Sequence, residues 1–410
     1  MGRSSPFLVT RIVLRGHSNL GERLPILLDR QSRKPVTAVM EWALSVRRNK
    51  PVSANTLERE LRHLGYFEAW LKLNGLSLRD PLAFVDAFTP NLIEASLRPW
   101  LGKDVSDQKV KKISINPSGI RDRIQVIAAY VDWVLQNAER SLSVRTQAAQ
   151  ILALRATRES VARSLSDILP IQNEGRKTDG LSSSEVTRLL AIIDPQNPHN
   201  PWARGNSDEA NAIRKRNQVI VLLMLAFGPR RGDVLKLQTR DVKTHGSEPT
   251  LWVVRRPDDP KDSRKFEPNA KTQERMLPLD AYLARILDDY IADYRKLIPN
   301  YKKSPYLMLS SSTGRPLSSR AVNDIFELLK FEFPGIRPHV CRHTHNDRLR
   351  AYCRLHGIDS KDAVSHAMYL NGWLGDNTGV YTQREARMSA HAISKSVQRD
   401  LFTPIEDVPF

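Results

Sequence analysis

The sequence has only two cysteines, Cys341 and Cys353. A disulfide framework is therefore not indicated, and a reducing compartment is the simpler assumption. Long apolar runs are missing too. The longest, Val219 to Phe227, has nine residues, far short of the roughly 20 that a bilayer-spanning helix needs; it reads as a buried helix. The N-terminal MGRSSPFLVT carries no apolar stretch of secretory length, and Pro6 spoils the myristoylation pattern that Met1 and Gly2 suggest. No membrane partner and a cytoplasmic location, bacterial and nucleoid-associated, are expected. Internal repeats and low-complexity tracts are also absent.

What the chain does have is positive charge. Across 410 residues, 63 Lys and Arg face 45 Asp and Glu, a formal net charge of +18. Basic side chains that neutralise phosphates release condensed counterions, so such an excess favours a polyanionic partner, with a nucleic acid foremost. A basic protein that is merely soluble has the same composition, so charge alone does not decide. Hydrophobic residues make up 40% of the chain, enough for packed interiors, and the length suggests two or three domains.

Two β-like runs, FLVTRIVL and RLPILLD, flank the turn-rich GHSNLGE and predict a small hairpin arm within residues 1–35. Residues 36–169 read as an all-helical domain. Asn55 with Glu58 three residues on suggests a helix cap, followed by Leu57, Leu61, Leu64 and Leu71 at helical spacing. A second helix follows Pro117, with Ile120, Ile124, Ile127, Val131 and Val134 on one face, and a third is expected over 142–169. The polar, aperiodic PIQNEGRKTDG at 170–180 reads as a linker. The domain expected at 181–410 is mainly helical. It also carries two β-like runs, WVVRR (Trp252 to Arg256) and Arg275 to Leu279, joined by a charged loop into a hairpin.

The chemistry concentrates in PHVCRHTHNDRL, where His339, Arg342, His343 and His345 fall within seven residues. His339 and His343, four apart, would share a helix face and could reach a zinc ion. No carboxylate or cysteine ligand stands at matching spacing, and an arginine between them would repel a metal. A planar, permanently cationic guanidinium instead suits phosphate oxygens. Cys341 reads as a small packing residue.

Five segments together are similar to the tyrosine recombinase family, the phage-integrase type of site-specific recombinase. FGPRRGDVLKL resembles its first arginine box, with Arg230 as the arginine and Asp233 as the acid. AKTQERMLPL resembles the hairpin that carries a catalytic lysine, Lys271; PHVCRHT resembles the second box, giving His339, Arg342 and His343. In LNGWLGDNTGVYT, Trp373 takes a position that is His or Trp in the family, and Tyr381 that of the nucleophile. LSSSEVTRLL resembles the usual opening of the catalytic domain. The resemblance covers residues 181–401 well and 36–169 loosely, as a core-binding domain. Pro229, the spacing of Trp373 from Tyr381 and the length between Arg342 and Trp373 depart from the pattern, and Lys261 or Lys265 could compete with Lys271. Arg231 is the rival to Arg230.

The resemblance implies a two-domain DNA clamp, mainly α with a small β-hairpin or sheet, whose catalytic domain is α+β. It implies a metal- and ATP-independent enzyme, without cofactors, that cuts and rejoins double-stranded DNA through a 3′-phosphotyrosyl intermediate and a Holliday junction. Dimers at each site and a tetramer in synapsis would be the assemblies, with accessory recombination proteins as further partners. A type IB topoisomerase or hairpin resolvase would share the chemistry, and a noncatalytic DNA-binding relative would share the fold. Taken singly, each of these Arg and Lys residues would be an ordinary solvated charge, and Tyr381 an ordinary aromatic. The set makes chemical sense because phosphodiester attack builds negative charge that preorganised cations stabilise. After Tyr381, a stripe of Ala386, Ala390, Ile393, Val397 and Leu401 predicts a helix; packing within the same chain would account for it, while the resemblance implies that this helix and the apolar tail FTPIEDVPF dock on a neighbouring subunit.

Overall fold

The computed structural model describes residues 5–14, 21–50, 52–102, 116–171, 179–203, 205–270, 272–373 and 383–402. The chain divides into two compact units, Met1–Gly175 and Arg176–Phe410.

In the first unit, strands β1 (Phe7–Val13) and β2 (Arg23–Asp29) pair antiparallel, from Phe7 opposite Asp29 to Val13 opposite Arg23. The hairpin is not a detached arm. Leu27 is fully buried in the helical core, and a side chain at Gly65 of helix α1 (Ala54–Leu73) would press within 2.8 Å of it. Long-range ion pairing also moves the expected cap. Asn55 Oδ1 accepts from Arg11 of β1 at 2.5 Å, and Glu58 pairs with the same guanidinium at 2.5 Å. Ser53 caps the helix instead, accepting from the Thr56 N–H at 3.2 Å. Helix α2 (Pro117–Ser141) buries Ile124, Ile127, Val131 and Val134 as its periodicity predicts. The third helix, α3 (Ala148–Asp167), starts six residues later than expected. Leu142 is extended, and a turn closed by Gln147 N–H to Ser143 O at 2.8 Å intervenes.

The second unit begins with α4 (Ser183–Ile192), whose Ser182 and Glu185 form a reciprocal capping box. Helix α5 (Asp208–Phe227) follows, and its 219–227 run is at most 1% exposed, so it is buried on all sides. Next come the short α6 (Arg231–Lys236) and a sheet ordered β3 (Val242–Lys243), β4 (Thr250–Val253), β5 (Arg275–Pro278). The β4–β5 hairpin is there, but β4 leaves the sheet earlier than the WVVRR run suggests. Arg256 turns inward to pair with Asp241 at 2.5 Å. The remaining helices are α7 (Ala281–Asp289), α8 (Ser319–Leu329), α9 (Pro338–Leu355), α10 (Ser360–Asn371) and α11 (Gln383–Phe402).

Helix α11 packs within its own unit. Its apolar face, Ala390, Ile393, Val397 and Leu401, is buried in the core of its own unit. Gln398 completes the end of β5, donating to Pro278 O at 3.0 Å and accepting from the Asp280 N–H at 3.1 Å. The side chain of Ala386 and the tail at 403–410 lie outside the described residues. Among the described residues, no helix is long and apolar enough to cross a membrane.

Candidate phosphate-binding site

Two left-handed glycines begin the site. Gly228 (φ 56°) ends α5 and Gly372 (φ 61°) ends α10, a conformation that any other residue would hold at a cost. Their neighbourhoods are also closed to a side chain: a Cβ at Gly228 would meet His345 at 2.9 Å, and one at Gly372 would meet Arg275 at 2.6 Å. Arg342, on the first turns of α9, ties the two helix ends together. It donates to Gly228 O at 2.6 Å and to Asn371 O at 3.4 Å.

After Gly228 and Pro229, Arg230 stands at the N-cap of α6, and its backbone N–H donates to Asp233 Oδ2 at 3.0 Å. Its rival Arg231 is turned away, donating to Asn323 on α8. Arg342 lies 5.6 Å from the centre of the half-buried Trp373 ring, a cation–π arrangement. One turn of α9 brings His339 and His343 edge to face, with ring centres 4.5 Å apart. Burial and the charges of His343, Arg342, Arg337 and Arg230 lower the His339 pKa below the ordinary histidine value, so its neutral, proton-accepting form persists further into acid. His345 does not join them. It is 1% exposed, packed beneath Gly228, and pushed down to about 3 by burial and by Arg342. A three-histidine ligand set thus does not form here. Cys341 is fully buried, as a packing residue would be.

Five of the seven residues singled out from the sequence, Arg230, Arg342, His339, His343 and Trp373, therefore meet around one end of α9. Lys271 and Tyr381 lie outside the described residues. The rivals Lys261 and Lys265 are exposed, and Lys261 donates its backbone N–H to Asp259 at 2.9 Å.

One participant was missed. Arg275, in the quoted AKTQERMLPL, is 4% exposed, and one of its guanidinium nitrogens lies 3.8 Å from Asp233 Oδ2. Its place at the end of β5 was legible; its burial among other cations was not. The guanidiniums of Arg275 and Arg342 thus share the field of a single carboxylate, Asp233, and Arg230, whose backbone N–H that carboxylate holds, adds a third cation beside them. Burial, then Arg230 and Arg275, push the Arg342 guanidinium down to about 10. It remains charged at neutral pH, but it is held there against its neighbours, and an added anion would relieve that strain.

Residues 181–358 match the model of the phage integrase family. No curated protein sequence matches the chain. Solved structures similar to it include the following three. The XerH site-specific recombinase bound to its difH substrate, a pre-cleavage complex, is 14% identical, with 86% of this chain and 92% of that chain covered and a TM-score of 0.41. The Tn1549 transposon integrase in complex with circular intermediate DNA is 15% identical, covering 87% and 99%, with a TM-score of 0.39. A lambda integrase dimer bound to a COC′ core site is 14% identical, covering 94% and 92%, with a TM-score of 0.32. With its arginine boxes in order and residues 181–358 matched, the second unit carries a phage integrase domain.

Proposed function

We propose that this protein is a site-specific DNA recombinase that cleaves and rejoins DNA through a covalent phosphotyrosine. The observation that carries the reading is the surplus of buried guanidinium charge around Asp233, a site built for an anion with several oxygens. Its +18 net charge suits a DNA partner.

In this reading, Arg230 and Arg342 donate to the nonbridging oxygens of the scissile phosphate. They bind the charge that grows there more tightly than they bind the ground state. The Tyr381 hydroxyl attacks phosphorus and passes its proton to His339, the accessible imidazole of the set. Lys271 gives a proton to the departing 5′-oxygen. The phosphodiester bond is replaced by a 3′-phosphotyrosyl bond of similar energy, so rejoining by a 5′-hydroxyl from a partner duplex needs neither ATP nor a metal. Repeating the exchange on the second strand pair passes through a Holliday junction held by four protomers, a dimer on each site. His343 supports the phosphate grip, and Trp373 packs against Arg342 to keep it in place.

The test uses a library of randomised duplexes nicked just beyond the cleavage position, so that the freed 5′ fragment diffuses away and the adduct accumulates. Wild-type protein should enrich one sequence as a detergent-resistant protein–DNA complex, and Tyr381→Phe should yield none. An adduct of undiminished yield in Tyr381→Phe would overturn the reading.

A further inference from the structure

Arg275 is too enclosed to touch DNA, so whatever it does, it does through its neighbours. Those neighbours belong to three separate segments. Its Nε donates to Leu370 O at 2.8 Å, and its Nη1 donates to Thr272 Oγ1 at 2.9 Å and to Gln273 O at 3.1 Å. Its Nη2 lies 3.8 Å from Asp233. Asp233 in turn holds the Arg230 backbone, Leu370 lies on the last turn of α10 that leads to Trp373, and Thr272 directly follows Lys271 in the chain. A second bond, Gln273 N–H to Gly372 O at 3.1 Å, runs parallel to the first link. Gly372 lacks a Cβ at the place where the guanidinium passes closest. Only a planar fork with five donors can reach all of these acceptors at once; an ammonium cannot.

We propose that Arg275 is a positioning residue for proton donation to the leaving group: it fixes Thr272 and Gln273, which lead into β5, against Asp233 and the 370–372 turn, and the residue this serves is Lys271, which precedes them in the chain. The proposal rests on the function proposed above, with Lys271 as the acid. Loss of Arg275 leaves the phosphate grip in place but releases the lysine, so the missing step is the proton that must reach the 5′-oxygen as its bond to phosphorus breaks. That gives the defect a chemical signature. When the bridging 5′-oxygen is replaced by sulfur, the leaving group is a thiolate, which departs without a proton because a thiol ionises near neutral pH and an alcohol does not. A fault confined to proton delivery disappears on that substrate, whereas a damaged fold or a disturbed nucleophile does not.

The experiment compares full-length wild-type protein with Arg275→Lys, Arg275→Met, Thr272→Val and Lys271→Ala. It uses the duplex enriched above, with either oxygen or sulfur at the bridging position. Single-turnover adduct formation is read alongside DNA affinity by anisotropy and thermal unfolding. On the oxygen substrate, both Arg275 variants should slow by about 100-fold, the penalty of misplacing a reacting group by an ångström. DNA affinity should stay unchanged in Arg275→Lys, which keeps the charge, and both variants should recover close to the wild-type rate on the sulfur substrate, as Lys271→Ala does. Should Arg275→Met fail to fold, Thr272→Val, which deletes one contact and no charge, carries the test with a loss of about 10-fold and the same recovery. Slowing that sulfur does not repair, or wild-type rates in the Arg275 and Thr272 variants beside a defective Lys271→Ala, overturns the role of Arg275 alone. Wild-type cleavage by Lys271→Ala brings the proposal down together with the role given to Lys271.

Discussion

Helix α6 separates two buried clusters of charge that solve opposite problems. At its N-terminal end, Asp233 lies by Arg275 and in the field of Arg342, with Arg230 as a third cation beside them. At its C-terminal end, Lys236, 2% exposed, lies 3.2 Å from Asp262 and is hydrogen-bonded to Glu267. Around it, Arg264 pairs with Asp262 at 2.7 Å and Arg256 with Asp241 at 2.5 Å. Asp259 accepts from Tyr306 at 2.6 Å and from Gln238 at 3.1 Å. Every cation in this second cluster has a carboxylate of its own. It is complete within the protein, and it braces the 254–274 excursion between β4 and β5. Among the described residues the first cluster has fewer carboxylates than cations, and in the function proposed above a DNA phosphate supplies the difference. A desolvated charge is costly unless paired, so the imbalance is a stability cost maintained at the site where an anion is to bind.

The sharpest way to break this contrast is to remove one cation from each cluster. Arg230→Ala or Arg342→Ala should lower the rate of adduct formation on the order of 1000-fold, the range lost with a donor to a developing oxyanion. The melting temperature should barely fall in Arg230→Ala, which relieves repulsion, and should fall further in Arg342→Ala, which also loses the bonds to Gly228 O and Asn371 O. Single-turnover assays and thermal unfolding of the same preparations decide this. A large drop in stability with chemistry intact would erase the distinction.

Lys236→Met makes the complementary prediction. It leaves Glu267 and Asp262 buried with less countercharge, which should cost about 3 kcal/mol of stability, as breaking one side of a buried pair commonly does. The adduct rate per folded molecule should stay close to wild type at low temperature. Guanidinium unfolding curves provide the measurement, and an unchanged midpoint would show that the cluster is not the brace argued for here.

The two clusters also mark what sequence could and could not reveal. Arg230, His339, Arg342, His343 and Trp373 were legible because each sits in a short box whose spacing carries its own meaning, and the nine-residue run at 219–227 could only be a buried helix. Arg275 reads as one polar position in an alternating strand. Its role depends on Leu370, 95 residues away, and on Asp233 in another helix, and no local pattern encodes either contact. The misplaced cap of α1 has the same cause. Asn55 and Glu58 have the right spacing for a capping pair, but Arg11, 44 residues before Asn55, engages both. Helix α11 shows the converse: its stripe predicted burial correctly, but a stripe does not say whose core it enters.

The smallest expected effect tests the cation surplus without any chemistry. Besides burial, His343, Arg342, Arg337 and Arg230 lower the His339 pKa. The sign follows from its neighbours: cations disfavour the protonated ring, so it should titrate below 6.5 in the free protein, and cleavage should fall only as pH drops through that lower value. If Arg342 is one source, Arg342→Met should move the His339 titration upward, toward the ordinary value, even though that variant no longer cleaves. A bound phosphate should move it in the same direction in the wild type, because the anion cancels the same field. Ring-proton NMR across pH 4 to 8, with His339→Gln used to assign the resonance, reads both shifts. A His339 that titrates at one pH in the wild type, in Arg342→Met and with phosphate present would mean that the guanidinium charge does not reach the imbalance's most accessible neighbour, and the surplus would lose its meaning as an anion site.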